Sequence, residues 1–188
     1  MTATRWKVRW IRQDQPGREV ARLDLFRDTW HLHGTVETDF DGIASKVLYH
    51  VARDATWRTR GVSVRFWQGR IGRRLSATVQ EDGRWQISGR ERIDLQGCTD
   101  ADLEISPSTN TIPIRRLGLP VGGSQELRAA WVRFPQLTIE PSRQRYTRLA
   151  EDRYRFENVD SGFSAEITVD DVGLVLHYPD GWTRSPNP

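Results

Sequence analysis

The sequence predicts a strand-dominated fold in which an antiparallel sheet curls or closes on itself. Apolar and polar residues alternate with a period of two through most of the 188 residues, as in strands that bury one face. Pairs of turn-forming residues separate these segments at short intervals. No strong apolar stripe with the helical period of 3.6 residues accompanies them, so we expect at most one or two short helices.

The strands can be followed in chain order. Trp6, Val8 and Trp10 alternate with basic residues, and this pattern predicts the first strand. Similar alternation recurs at residues 23–26, 30–35, 47–51, 62–66, 75–79, 85–87, 127–131, 154–156 and 163–169. Residues 124–131 could also begin a helix capped by Ser124, but the alternation continues to Phe134 and favours a strand. The turns are predicted at Pro16-Gly17, Asp41-Gly42, Asp82-Gly83, Gly122-Gly123, Ser161-Gly162 and Asp180-Gly181.

Residues 97–117 combine acids, turn formers and two arginines in one apolar segment. Asp100, Asp102 and Glu104 alternate with apolar residues, so one side of a strand would be acidic. A turn at residues 106–110 leads to Arg115 and Arg116. Because guanidinium groups bind carboxylates in a bidentate manner, we expect an Asp/Arg network. If the arginines lie in a strand, only one of them can face the interior and pair with an aspartate.

Composition indicates one soluble domain over residues 1–183 and a flexible tail over residues 184–188. The single cysteine, Cys98, has no internal disulfide partner, and the charged N-terminus is unlike a signal peptide, so we expect a cytoplasmic protein. No apolar run approaches the ~20 residues of a membrane span, so no stable membrane insertion is expected. The net charge is +3, and the arginines alternate with acids instead of clustering, which argues against nucleic-acid binding.

Four ordered motifs resemble the bacterial family of putative glycolipid-binding proteins. They are Gly-Cys-x-Asp-x-Asp at 97–102, Thr-Asn-x-x-Pro-Ile-Arg-Arg-Leu at 109–117, Gln-Arg-Tyr-x-Arg-Leu at 144–149 and Val-Asp-x-x-Gly-Leu-Val-x-x-Tyr-Pro at 169–179. The match is strong from about residue 94 to residue 182 and diffuse before that. The resemblance implies an all-β fold, an antiparallel β-roll or partly closed barrel around an apolar interior.

The resemblance also implies a non-catalytic protein that binds an amphipathic, glycolipid-like small molecule, with acyl chains in the interior and polar groups around the head group. The candidate ligand-binding residues are Asp100, Asp102, Asn110, Arg115, Arg116, Trp131, Gln144, Arg145 and Tyr146. The same polar set could instead be an internal network that fixes strand register. Two alternatives to a carrier remain: a hydrolase or other enzyme acting on such a ligand, and a protein-interaction domain with a filled core.

Catalytic and metal sites are weakly indicated. His31 and His33 share a strand face, but the further ligands that zinc needs are not supplied nearby in the sequence. Cys98 has no adjacent histidine, and a small buried thiol is its usual state. Asp100 and Asp102 could form a carboxylate pair, whereas Asp170-Asp171 before Gly173 is typical of a hairpin turn. We therefore predict no catalytic residues, no metal and no cofactor.

Overall fold

The computed structural model describes residues 5–186, and for Arg5 the backbone only. Strands account for 60% of the chain and helices for 8%, so the predicted all-β fold with few helices is confirmed. The strands are β1 (Arg5–Arg12), β2 (Gly17–Phe26), β3 (Thr29–Phe40), β4 (Ile43–Arg53), β5 (Thr59–Gln68), β6 (Ile71–Val79), β7 (Trp85–Ile87), β8 (Arg90–Glu91), β9 (Asp100–Leu103), β10 (Ser124–Arg133), β11 (Thr138–Arg148), β12 (Arg153–Asn158), β13 (Phe163–Val169), β14 (Val175–Tyr178) and β15 (Trp182–Arg184).

The fifteen strands of the described residues belong to one sheet made of two meanders. Strands β1 to β8 are successive antiparallel neighbours, and so are β10 to β15. The meanders join where β1 pairs with β15. Arg184, which the sequence assigned to a flexible tail, is the last residue of β15, and the Ser185 amide donates to the Arg9 carbonyl over 2.8 Å.

The sheet curls without closing into a barrel. Strand β9, at one edge of the sheet, packs across β5. The Thr59 amide donates to the Thr99 carbonyl over 3.1 Å, and the Ala101 amide donates to the Thr59 hydroxyl over 2.9 Å. The core lies inside this curl, where Trp10 and Trp85 are fully buried. Their indole N–H groups donate to the carbonyls of Val175 and Cys98, so each large ring is buried with its polar atom satisfied.

One strand pair departs from the antiparallel prediction. Strand β9 runs parallel to β10, with Ala129 opposite Asp100 and Val132 opposite Leu103. Parallel neighbours need a crossover connection, because a tight hairpin reverses the chain. The crossover contains a 3-10 helix (Pro107–Asn110) and α1 (Thr111–Leu117), the one α-helix among residues 5–186.

Arg115 and Arg116, considered above as possible strand residues, lie in helix α1. Pro113 lies in the first turn of the helix, where its missing N–H would have no partner within the helix. The helix ends at Gly118, whose left-handed φ of 53° suits glycine and whose amide donates to the Ile114 carbonyl. Arg115 and Arg116 therefore point along a helix surface and do not alternate across a strand.

Gly34 on β3 shows how closely the inner face of the sheet is packed. Tyr49 on β4 lies across this glycine, and a Cβ added to Gly34 would be 2.5 Å from the Tyr49 hydroxyl. The Tyr49 ring is buried and hydrogen-bonded, so it has little freedom to move away.

We expect Gly34→Ala to lower the free energy of unfolding by about 2 kcal/mol, because overpacking forces the Tyr49 ring from its hydrogen bonds. Gly61→Ala on β5 is the matched control, since the nearest atom to its added Cβ is the Ala77 carbonyl oxygen at 3.6 Å. Urea denaturation of both variants measures the difference. Equal stability of the two variants would contradict the close approach at Gly34.

Candidate functional site

A cleft of about 400 Å³ opens beside the crossover connection. One wall is formed by β9 and the residues that follow it, and another by β12 and β13. The turn between β14 and β15 and the end of β1 complete the boundary. A volume of this size lies within the range of small-molecule sites, which is about 300 to 1,000 Å³.

Asp102 carries its carboxylate into this cleft from β9. One oxygen accepts a hydrogen bond from the side-chain amide of Gln144 at 2.7 Å, and the other accepts from the Thr109 hydroxyl at 2.9 Å. Burial raises the pKa of Asp102, although these two hydrogen bonds oppose the effect. Two donors thus fix the orientation of the carboxylate and leave its remaining lone pairs available to a ligand.

Asn110 reaches the cleft from the end of the 3-10 helix. The Tyr146 hydroxyl donates to the Asn110 side-chain oxygen over 2.8 Å, and the Asn110 side-chain nitrogen donates to the Pro107 carbonyl over 3.1 Å. Tyr146 is itself 2% exposed. Gln144 and Tyr146 therefore position cleft residues from behind, and they do not line the cleft themselves.

An aromatic row leads from the core to the cleft surface. The rings of Tyr146 and Phe156 are 5.3 Å apart, and those of Phe156 and Phe163 are 6.2 Å apart. Exposure rises along the row, and Phe163 is 49% exposed. Trp131, from β10, adds a further ring to the lining. The cleft thus joins aromatic surface to hydrogen-bonding groups.

The charged residues of the cleft are mainly acidic. Asp14, Asp102, Glu104 and Asp180 line it, and Arg12 is the basic residue of the lining. Arg12 and Asp14 offset each other through two hydrogen bonds of 2.8 and 3.0 Å, and Glu104 lies 3.3 Å from Arg133, so Asp102 and Asp180 supply the net negative charge of the cleft. The cleft therefore disfavours an anionic ligand.

The remaining predicted site residues lie elsewhere. Arg116 donates two hydrogen bonds, of 2.8 and 2.6 Å, to the carboxylate of Asp100, and this buried ion pair holds α1 against β9. Arg115 lies over the Trp57 ring, with the guanidinium carbon 5.1 Å from the ring centroid. Arg145 pairs with Glu126 and with Glu157 on the outer face. None of these residues is part of the cleft lining.

A second polar cluster lies in the core and fastens the crossover to the sheet. Glu19, fully buried on β2, accepts hydrogen bonds from the Tyr49 hydroxyl at 2.5 Å and the Ser106 hydroxyl at 2.7 Å. The Ser108 hydroxyl is 2.7 Å from that of Tyr49. Burial raises the pKa of Glu19 to about 7, and the hydrogen bonds from Tyr49, Ser106 and Ser108 only partly offset it.

The histidines engage in separate contacts. On β3, Nδ1 of His31 is 2.9 Å from Nε2 of His50, whereas Nε2 of His33 is 2.8 Å from an Asp24 carboxylate oxygen. Burial lowers the pKa of His31 and of His50, which favours their neutral forms. Within residues 5–186, no group of three or more His, Cys, Asp or Glu side chains is arranged to hold a metal ion.

The other candidate reactive groups are also occupied or unreactive. Both Asp100 oxygens accept from Arg116, so Asp100 is not free to form a carboxylate pair with Asp102. Burial raises the pKa of the Cys98 thiol to about 11, so the thiol is protonated at neutral pH. The Asp170 carboxylate accepts from the amides of Val172 and Leu174, as in a hairpin turn.

Several cleft residues were missed in the sequence analysis. Phe156 and Phe163 were assigned only to strands, and neither Trp182 nor Tyr178 of the fourth motif was selected. No sequence signal marked Phe163 as exposed, because it alternates in phase with the buried residues Ala165 and Ile167 of the same strand. The β14–β15 turn and the end of β1 also line the cleft. Their position there depends on the order of the strands in the sheet, which alternation alone does not predict.

Comparisons with known proteins found one family model and one similar solved structure. The family model described as "Putative glycolipid-binding" matches residues 7–184. The crystal structure of a DUF1089 family protein from Pseudomonas aeruginosa is similar, with 34% sequence identity, a TM-score of 0.81, and coverage of 93% of this chain and 95% of that chain. No curated protein matches. In the described part of the chain, no helix has the length and apolar character needed to cross a bilayer. With four predicted motifs in order and a family match over nearly its whole length, the chain belongs to the family described as "Putative glycolipid-binding".

Proposed function

We propose that the protein binds an amphipathic small molecule through a neutral, hydroxyl-rich head group seated in the cleft. The observation that carries this proposal is the combination of oriented polar groups with an aromatic wall. Asp102 and Asn110 are held by partners behind them, and Trp131, Phe156 and Phe163 offer ring surface beside them. Sugar rings present hydroxyl groups to such acceptors and donors, and C–H surface to such rings.

The charge of the cleft selects among amphipathic head groups. An excess of carboxylates opposes a phosphate or sulfate group, whereas it accepts hydrogen bonds from neutral hydroxyls. A glycolipid-like ligand is thus supported over an anionic phospholipid. The family description supports the same class of ligand. The unpaired Cys98 supports a cytoplasmic location as part of the proposal.

The first test identifies a ligand without assuming its structure. Native mass spectrometry of protein purified without detergent, followed by organic extraction and mass analysis, is expected to reveal a co-purified glycolipid-like molecule. The same preparation should bind octyl glucoside more tightly than octanol, because only the glucoside offers a hydroxyl-rich head group. An unliganded mass together with equal affinity for the two probes would contradict the proposal.

Phe163→Ala tests the location of the site. Phe163 is 49% exposed, so its removal is expected to leave the fold intact while weakening octyl glucoside binding by about tenfold, the effect of about 1.4 kcal/mol of lost apolar contact. Phe26→Ala is the matched control, because Phe26 is 57% exposed and lies outside the cleft lining. Isothermal titration calorimetry measures both affinities, and equal losses in the two variants would place the site elsewhere.

A further inference from the structure

Arg53, at the end of β4, is a buried cation without hydrogen-bond acceptors. Its side chain is fully buried, and none of its three guanidinium nitrogens has a hydrogen-bond partner among the described residues. Burying a guanidinium without acceptors costs several kcal/mol, so the great majority of such groups in proteins are paired. An acceptor that is not part of the described chain would remove this cost.

The surroundings of Arg53 hold a second cation. The guanidinium carbon of Arg53 is 5.0 Å from the centroid of the Trp57 ring, and that of Arg115 is 5.1 Å from a Trp57 ring centroid. The two arginines thus approach one indole from β4 and from α1. Arg115 makes one long hydrogen bond, of 3.4 Å, to the Val172 carbonyl, so its guanidinium group also keeps hydrogen-bond donors available.

Trp57 is fixed in an unusual backbone conformation next to these cations. Its φ is +68°, in the left-handed region that is costly for a bulky residue. The turn that enforces it is built on Asp54, whose carboxylate accepts from the amides of Thr56 and Arg58 at 2.9 and 3.1 Å. The indole also packs on Trp30, with ring centroids 4.8 Å apart. The turn therefore positions the ring against both guanidinium groups.

A hydroxyl group adds to the unsatisfied polar atoms. Thr111 precedes Arg115 by four residues, so the two side chains lie on the same side of α1. Its hydroxyl is buried and has no hydrogen-bond partner in the described chain. The two arginines and this hydroxyl thus have hydrogen-bond donors to spare, and such donors bind the acceptor oxygens of an anion.

We propose that Arg53 and Arg115 form a binding site for one oxyanion, a phosphate or carboxylate group, next to Trp57. This site is separate from the acidic cleft, and the proposal does not depend on the function assigned to that cleft. Because Arg53 is fully buried, an anion can reach it only when a covering side chain moves. Trp57, in contact with both guanidinium groups, should report this movement through its fluorescence.

The test is a titration with inorganic phosphate against chloride at constant ionic strength. Phosphate is expected to change the tryptophan fluorescence saturably and to raise the melting temperature, since it binds the folded state. In Arg53→Met the apparent affinity should fall at least about tenfold, because the forked donor is lost. Arg58→Met is the control: Arg58 is an exposed arginine of the same turn, and its loss should leave the response unchanged.

Two further measurements make the test decisive. Arg53→Lys keeps the positive charge but loses the forked pair of guanidinium donors, so it should also weaken phosphate binding. This variant replaces Arg53→Met in the test if Arg53→Met fails to fold. Phe163→Ala in the cleft should retain the full phosphate response, which separates this site from the cleft. An absent phosphate response in the wild-type protein, or a wild-type response in both Arg53 variants, would overturn the proposal.

Octyl phosphate distinguishes the source of the anion. If it binds through Arg53 more tightly than inorganic phosphate, the site receives the head group of an anionic amphiphile. If it binds through Arg53 no more tightly, the site receives a free anion. Either result supports an oxyanion site, provided that the binding is lost in Arg53→Met and kept in Arg58→Met.

Discussion

Replacing Arg116 with alanine is expected to lower the free energy of unfolding by about 3 to 5 kcal/mol, because it leaves the buried Asp100 carboxylate without its cation. The side chains of Asp100 and Arg116 are only 2% and 14% exposed, and two hydrogen bonds join them. Arg115→Ala is the matched comparison. Arg115 has no ion pair among the described contacts and is partly exposed, so its loss should cost under about 1 kcal/mol.

Urea denaturation of both variants measures this difference. A second substitution, Asp100→Asn in the Arg116→Ala background, should recover part of the loss, because it removes the unpaired charge and keeps an oxygen for the Thr99 hydroxyl. If both arginine variants retain the wild-type melting temperature while ligand binding disappears, Arg115 and Arg116 belong to a ligand site. The structural role of the Asp100–Arg116 ion pair is then refuted.

The stability of the protein is expected to fall by about 3 kcal/mol between about pH 4.5 and pH 7 because of Glu19. The pKa of Glu19 is about 7 in the folded protein, against an ordinary value of 4.5. In this window the unfolded chain has already released the proton, while the folded state still holds it, so each rise in pH favours unfolding. Below pH 4.5 both states hold the proton and the full stabilisation is present.

Glu19→Gln should remove this decline, since the amide has no proton to release and can still accept from Tyr49 and Ser106. Glu37→Gln is the control. The Arg18 guanidinium lowers the pKa of Glu37. The small contribution of Glu37 to the free energy of unfolding therefore has the opposite pH dependence. Urea denaturation from pH 4.5 to 8.5 measures the three slopes. An unchanged decline in Glu19→Gln would assign the pH dependence to other groups.

The Glu19 cluster also connects stability to the cleft. Ser106 donates to Glu19 and lies in the cleft lining, and the same short segment continues to Asn110. Ionisation of Glu19 places a buried charge at the contact that joins this segment to the sheet. The segment that presents Asn110 is thus held by a group that titrates near neutral pH.

Alternation and turn residues were sufficient to predict most strands of this protein. Trp6, Val8 and Trp10 occupy β1, and Asp41 and Gly42 adopt positive φ between β3 and β4, as their types suggest. These features depend on neighbours in the chain, and the sequence displays them directly. The pairing of an arginine with Asp100 could also be anticipated, because carboxylate and guanidinium groups within one segment attract each other over short distances.

The tertiary structure alone decided the rest. Residues 111–117 contain a proline and β-branched residues, yet they form a helix, because the parallel pairing of β9 with β10 demands a crossover. The cleft brings Asp102 together with Phe163 and Trp182, which belong to strands far apart in the sequence. The burial of Glu19 and Arg53 likewise comes from long-range packing, since each occupies an ordinary position in an alternating strand. Chain-local patterns determine which residues form strands, whereas the order and curvature of those strands determine which side chains meet.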